Sequence, residues 1–468
     1  MIHNLVGKTT HSLMQILDII NKNAKGIAFI VDENNIFKGL ITDGDIRRHL
    51  LSHGDLGVEA KTIINENFVF AKDTENKSEL IKKINEQIKI IPILDKENKL
   101  VDYFEYKTDV YIPVAIPDLN GNEFKYLMDA FISTWISSSG EYIKRFEDSF
   151  SNYCNMKHGI AVSNGTVAIH LALKALGIGE GDEVIVPDFT FAAPVNAIIH
   201  ANAKPVIVDI DRESWCISPK EIEKVINKRT KAILPVHIYG QPCNMDAITA
   251  IAKKNSLFII EDCAEAHGAM YDGKKVGSFG DISCFSFFAN KVITTGEGGM
   301  CLTNNDELND KMRTLRDHGM SRSKKYWHEV VGFNYRMTNL QAAIGVAQLE
   351  RINSILDFRR NIEDKYQDKL RSIPGISFQH DLEQSNRITW LVCAIMNNRD
   401  TVLDALKECK IDVRPFFYSL GTMDIYKEYL VSNSVSKEIS AKGISFPTNN
   451  LISDIELNTI YEIVVKHV

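Results

Sequence analysis

Residues 257–269 read LFIIEDCAEAHGA, residues 271–281 read YDGKKVGSFGD, and residues 282–300 read ISCFSFFANKVITTGEGGM. The first stretch is an apolar run that ends in Glu261 and Asp262, the pattern of a buried parallel strand delivering carboxylates to its carboxyl end. Open α/β sheets bind ligands along that edge. The run ISCFSFF brings Lys291 to the same edge, and GEGGM behind it supplies glycines for a tight turn close to a ligand. A lysine beside a carboxylate reads first as an ion pair. Strand end, lysine and glycine turn taken together read as a site.

The surroundings of this window set its fold class. Residues 113–468 alternate apolar runs with helical patterns: HLALKALG, EVIVP, PVNAIIHA, PVIVDI, KAILPVHIYG, then LFIIED. Such alternation predicts a mostly parallel α/β sheet covered by helices on both faces. From about residue 345 a single long helix is expected through AIGVAQLERINSILDFRRNIEDKYQDKL, then mixed α and β structure forming a smaller carboxy-terminal domain over 351–468. His237 and His318, two of 13 histidines, read as structural and are left out of the catalytic set.

Composition narrows the function classes. The chain has 468 residues, 44% hydrophobic and 25% charged, which excludes disorder and predicts two or three folding units. A net charge of −7 offers no basic field for a nucleic acid. The amino terminus MIHNLVGKTTHSL lacks an export signal, and no apolar run approaches the roughly 18 residues of a membrane helix. Eight cysteines without a CxxC pair read as reduced thiols in the cytoplasm, with no metal framework.

Residues 1–112 differ from the remainder: they hold none of the 8 cysteines, none of the 4 tryptophans and only Pro92 of the 12 prolines. A domain boundary near 108–113 follows. This part also repeats itself. IAFIVDENNIFKGLIT from Ile27 matches IIPILDKENKLVDYFE from Ile90, with Asp32 and Asn35 recurring 63 residues later as Asp95 and Asn98. Each copy reads as strand, Asp/Asn turn, strand, preceded by a helical pattern, SLMQILDIINKN or SELIKKINEQ. The repeat resembles a CBS-domain pair, whose ribose-contacting pattern corresponds to Gly39, Thr42 and Asp45 in GLITDGD. Thr42 and Asp45 equally suit the N-cap and first turn of a helix over DIRRHLL. The second copy has Asp102, Glu105 and Thr108 at the matching positions, so one nucleotide site is expected rather than two.

The larger part resembles the DegT-type sugar aminotransferases, through EDCAEAHGA, GDISCFSF, Lys291 and GEGG, with SNGTVAIHLAL upstream and GFNYRMTNLQAAIGVAQLE downstream. The resemblance implies the type I, aspartate aminotransferase-like fold, with a large domain over 113–350, and pyridoxal 5′-phosphate (PLP) as cofactor. It places Lys291 as the catalytic lysine that anchors the cofactor and moves the proton, and Asp262 as the carboxylate partner of the pyridine nitrogen. Gly165 and Thr166 would hold the phosphate at a helix amino terminus, or be part of an ordinary N-cap, with Ser286 capping the same group. Phe191 would stack on the ring, and Glu265 would lie near the phenolic oxygen with its protonation state open. Asn334 would reach a neighbouring subunit's phosphate and Arg336 a glutamate carboxylate. Trp135, Ser137, Ser138, Ser139 and Tyr418 would touch the sugar substrate.

IPVAIPDLNGNE, WISSSGEYI and FSFFANK are most similar to members that aminate GDP-4-keto-6-deoxymannose. The implied partners are therefore a nucleotide-linked 4-keto sugar, L-glutamate and a second copy of the chain. A UDP- or dTDP-linked sugar is the alternative. A dehydrating relative, with histidine in place of Lys291, and a nucleotide sensor on an inactive scaffold are disfavoured by the intact Asp262 and Lys291.

Overall fold

In the computed structural model residues 2–23, 25–75, 80, 83, 88–105, 112–450 and 452–468 are described. The chain divides into two compact units, Met1–Tyr111 and Ile112–Val468.

In the first unit β1 (Val6–Lys8) pairs parallel with β2 (Ile27–Val31), which pairs antiparallel with β3 (Phe37–Thr42). Between β1 and β2, α1 (Leu13–Asn23) buries Leu13, Ile16 and Ile20, one stripe of its surface. The helix α2 (Asp43–His53) follows β3 directly. The second copy repeats these strands in the same order and sense as β4 (Ala71–Lys72), β5 (Ile90–Leu94) and β6 (Leu100–Glu105). Even the irregularities recur, since the register shift at Ile30/Val31 returns at Ile93/Leu94. The cause is local chemistry: Asp32 accepts from the N–H groups of Asn34 and Ile36, and Asp95 from those of Glu97 and Lys99. Each turn then closes through an asparagine at positive φ, Asn35 at 61° and Asn98 at 60°. The helix expected over 78–87, apart from Leu80 and Lys83, and Thr108 lie outside the described residues.

In the second unit seven strands form one sheet: β7 (His158–Val162), β8 (Glu183–Pro187), β9 (Lys204–Val208), β10 (Thr230–Ile233), β11 (Phe258–Asp262), β12 (Ile282–Ser286) and β13 (Gly299–Thr303). Their spatial order is β7-β13-β12-β11-β10-β8-β9, and β13 alone runs against the others. Strands buried along their length, such as β8 and β12, have no polar face, as expected of a sheet covered on both sides. The helix α3 (Gly165–Ala175) is buried on nearly every side, from Ala168 to Ala175, and so packs inside the unit rather than over it.

The single helix expected over 343–370 is two: α4 (Asn339–Glu350) and α5 (Ile352–Leu370). They meet at Arg351, whose φ of −112° and ψ of 4° leave the helical region. Its guanidinium is drawn to Asp118, at 2.9 Å, and Glu123, at 3.7 Å, long-range pairs that local helix propensity cannot anticipate. Beyond α5, a four-stranded antiparallel sheet is built from β14 (Ile376–Phe378), β15 (Val392–Met396), β16 (Arg414–Pro415) and β17 (Gly443–Phe446). This carboxy-terminal region has its own sheet but shares one hydrophobic core with the large sheet, through Trp390, Cys393, Phe416 and Leu420.

Candidate active site

β11 and β12 are parallel neighbours, so their carboxyl ends lie side by side, and a cavity of about 640 Å³ opens there. Asp262, Glu265, Ser286, Lys291, Phe191, Gly165 and Thr166, all singled out from the sequence, line it. Lys291 is nearly buried, with its Nζ 3.7 Å from Glu265 Oε1. Glu265 Oε2 accepts from the Tyr239 N–H at 2.8 Å. Asp262 is fixed at its main chain, where its N–H donates to Pro235 and its carbonyl accepts from His237 N–H. Its Oδ1 accepts from Ala264 N–H at 2.9 Å.

Burial dominates the charges here. It pushes the Glu265 carboxyl up to about 7, and raises Asp262 above the usual carboxylate range against the pull of Ala264 N–H, Lys291 and His237. It lowers the Lys291 ammonium, with Glu265 and Asp262 opposing. A lysine so placed gives up its proton more easily than one in water, and a buried carboxylate so placed favours a cationic partner.

At the other wall Asn164 caps α3, its Oδ1 accepting from Val167 N–H at 3.0 Å. Gly165 is required there: a Cβ would stand 2.8 Å from Ser286 Cβ. The free amides at this helix start therefore face Ser286 across a gap that only glycine leaves open.

The DegT/DnrJ/EryC1/StrS aminotransferase family model matches residues 117–465, and a CBS domain model matches residues 6–52. The chain belongs to the DegT/DnrJ/EryC1/StrS aminotransferase family. It is 44% identical over 355 residues to the GDP-perosamine synthase of Escherichia coli O157:H7, covering 75% of this chain and 97% of that one. With the GDP-perosamine synthase of Vibrio cholerae it is 46% identical over 345 residues, 72% of this chain and 94% of the other. Among solved structures, an aminotransferase from Psychrobacter cryohalolentis superposes with a TM-score of 0.70 at 30% identity, covering 75% of this chain and 97% of that one.

Members of this aminotransferase family use PLP, and the cavity fits it: a buried lysine for the aldehyde, a buried carboxylate for the ring nitrogen, and helix amides beside Ser286 for the phosphate. Phe191, 59% exposed in this chain, lines the cavity with its ring centre 5.8 Å from that of Phe417. The other expected contacts are not among the residues lining the cavity: Trp135, Ser137, Ser138, Ser139, Asn334, Arg336 and Tyr418. Trp135 and Ser137 are held by Asn339, which donates to both carbonyls, and Arg336 pairs with Asp317 at 2.9 Å.

Trp390, Phe417 and Asn290 also line the cavity, although none was singled out from the sequence as a site residue. Tyr239, itself buried and not part of the lining, stacks on Phe417 at 5.5 Å and on Trp390 at 5.8 Å. His237, Glu261 and Cys263 also come together, with ligating atoms within 4.8 Å of one another. Glu261 is already saturated by the N–H groups of Gly277, Phe279 and Gly280 and by His237, so this buried group braces the strand end. In the first unit Thr42 and Asp45 form a reciprocal capping box on α2, and Asp45 also pairs with Arg48. Gly39 is held open by Asn65, whose carbonyl oxygen would stand 2.5 Å from a Cβ.

Proposed function

We propose that this aminotransferase moves the amino group of L-glutamate to C4 of GDP-4-keto-6-deoxymannose, giving GDP-perosamine. The observation that carries this reading is the 44% and 46% identity to two GDP-perosamine synthases across 97% and 94% of their lengths. The family position alone would allow a UDP- or dTDP-linked sugar.

Bound PLP supplies an electrophilic aldehyde and a protonated ring that withdraws electrons from the reacting carbon. In this reading Asp262 keeps the ring nitrogen protonated, since burial leaves its carboxylate in want of a cation. Lys291 would hold the aldehyde and, as a free amine, would move a proton at the reacting carbon; its lowered affinity for that proton suits the task. Glu265 stands 3.7 Å from Lys291 and, near neutrality, can take either protonation state. Gly165, Thr166 and Ser286 hold the phosphate, and Phe191 covers the ring.

Asn334 and Arg336 in this reading complete the site of a second copy, with Arg336 receiving the glutamate carboxylate, while Trp135, Ser137, Ser138, Ser139 and Tyr418 meet the sugar. Phe124 at 75% exposed, Ile132 at 72% and Trp135 at 60% support a homodimer, since an apolar run of this kind fits a partner surface. Residues 1–112 act as a regulatory CBS pair with a nucleotide at Gly39, Thr42 and Asp45. The repeated strands and turns support the pair. Eight free cysteines, seven of them buried, fit a cytoplasmic protein, and among the described residues no helix is long and apolar enough to cross a membrane.

The decisive measurement offers the purified protein glutamate with GDP-, UDP- and dTDP-linked 4-keto-6-deoxy sugars in turn, and reads the amino sugar by mass spectrometry. Product from the GDP sugar, absent with Lys291→Ala, is the expected result. Preference for another nucleotide would replace the substrate assignment while leaving the aminotransferase intact.

A further inference from the structure

The main chain carrying Lys291 is held from behind by Arg359 of α5. This arginine is buried, and the charge acting on it is Asp118, which is ion-paired with Arg351. Its Nη1 donates to the Trp390 carbonyl at 2.5 Å and its Nη2 to the Lys291 carbonyl at 3.4 Å. Trp390 returns the link, its Nε1 donating to the Asn290 carbonyl at 2.7 Å. The Lys291 segment, α5 and the Trp390 segment are thus tied to one another at three points. The consequence is at the side chains, where Lys291 Nζ lies 4.0 Å from the centre of the Trp390 ring. Stacking of Tyr239 on the other rings keeps the indole from turning away. Tyr239 is itself fixed in the left-handed region, at φ 53°, beside Gly240, where a Cβ would meet the Ile388 carbonyl oxygen at 2.0 Å.

We propose that Trp390 is a further catalytic residue: its indole face holds the Lys291 ammonium whenever that amine is free, while Arg359 is the positioning residue that keeps the two together. The inference rests on reading Lys291 as the catalytic lysine. An amine released from the aldehyde has to wait near the reacting carbon and still surrender its proton. Glu265 at 3.7 Å and Asp262 favour the charged amine, and burial opposes it. His267, driven by burial down to about 3, adds no charge at neutral pH, and the Arg359 guanidinium meets Lys291 through its carbonyl. A ring face attracts an ammonium more weakly than a full ion pair and does not accept its proton, so the amine is held without being trapped.

The test uses the full chain stripped of cofactor, treated with PLP across a pH series and reduced with borohydride, with the adduct on Lys291 quantified by peptide mass. The midpoint of trapping against pH reports the free amine. Trp390→Leu and Trp390→Met, which lack the ring face, are expected to shift that midpoint down by about half to one and a half pH units. Trp390→Phe keeps a ring and should keep the midpoint. Arg359→Met should slow trapping at every pH, with partial rescue by Arg359→Lys. Unmoved midpoints in both ring-less variants, or an upward shift, overturn the proposal for Trp390. An adduct missing from Lys291 in the parent protein would instead overturn the catalytic-lysine reading.

Discussion

Ile36 pairs in antiparallel register with Lys99, its own counterpart 63 residues later. A residue facing its own duplicate marks a local two-fold axis, and Phe37 N–H donates to the Asn98 carbonyl beside it. Phe29, Phe37 and Leu94 form one core drawn from both copies, so the duplication folds as a single body. Such symmetry offers two equivalent positions for a ligand, but the side chains at them differ. Thr42 and Asp45 occupy one, while at the other Glu105 stands where Thr42 would and is ion-paired with Lys25.

One nucleotide per chain is therefore expected at the first unit. Calorimetric titration of the full protein with adenine and guanine nucleotides, with the aminotransferase site saturated by its sugar substrate, should give a single site. Asp45→Asn should abolish it while conserving much of the α2 cap. If binding alters turnover, the coupling is expected at about 1 to 3 kcal/mol. A chain lacking residues 1–111 should keep transamination and lose only the nucleotide response. Two equivalent sites, or binding untouched by Asp45→Asn, would contradict the one-site reading.

The residues legible beforehand share a trait: each sits in a local pattern with a chemical reason. Asp262 ends an apolar strand, Lys291 follows another, and Asn164 to Thr166 open a helix, so position in the chain already implied position at the sheet edge. Trp390 and Arg359 had no such signal. Trp390 matters because it meets Lys291, 99 residues away, and an apolar aromatic in RITWLV reads only as core. The break at Arg351 escaped notice for the same reason, because its partners Asp118 and Glu123 are more than 200 residues distant. Resemblance alone supplied Asn334 and Arg336 as site residues, and neither lines the cavity of its own chain.

Gly165→Ala should weaken PLP binding on the order of tenfold or more, equivalent to about 1.4 kcal/mol. A methyl 2.8 Å from Ser286 Cβ must push apart the helix start and the strand end proposed to hold the phosphate. Equilibrium dialysis against PLP measures the loss, and thermal melting of the cofactor-free protein checks that the fold survives. Unchanged affinity would place the phosphate elsewhere.

Glu265 predicts a pH-dependent stability of the cofactor-free protein. Its folded pKa is raised from 4.5 to about 7 by burial, so between these values the unfolded chain has released a proton that the folded chain still holds. Stability consequently falls as pH rises from about 4.5 to about 7, by up to roughly 3 kcal/mol for this group alone. Below that window Glu265 contributes no pH dependence. Glu265→Gln removes the ionisable group, so its melting temperature should gain on the parent's progressively through the window and hold that gain at pH 8. A constant difference between the two proteins across pH would show that burial does not govern this carboxyl.

Asn334 and Arg336 lead to the last prediction. Arg336 Nε donates to Asn334 Oδ1 at 3.1 Å, its Nη1 lies 2.9 Å from Asp317, and its Nη2 is 3.2 Å from His318 Nε2. The segment is anchored at the end of β7, where Arg336 bridges to Val162 and Tyr335 accepts from Ser163 N–H. These groups are thus held in place away from the lining of their own cavity. If they complete the partner's site, a dimer pairing one Lys291→Ala chain with one Arg336→Ala chain carries both lesions in one site and none in the other. Co-expression with two different tags isolates that heterodimer. It should show about half the parental activity per dimer, although each variant alone is inactive, because a symmetric dimer holds two independent copies of the site. Activity near zero in the heterodimer would mean that each site is built from a single chain, and full activity in a monomer would remove the shared-site reading altogether.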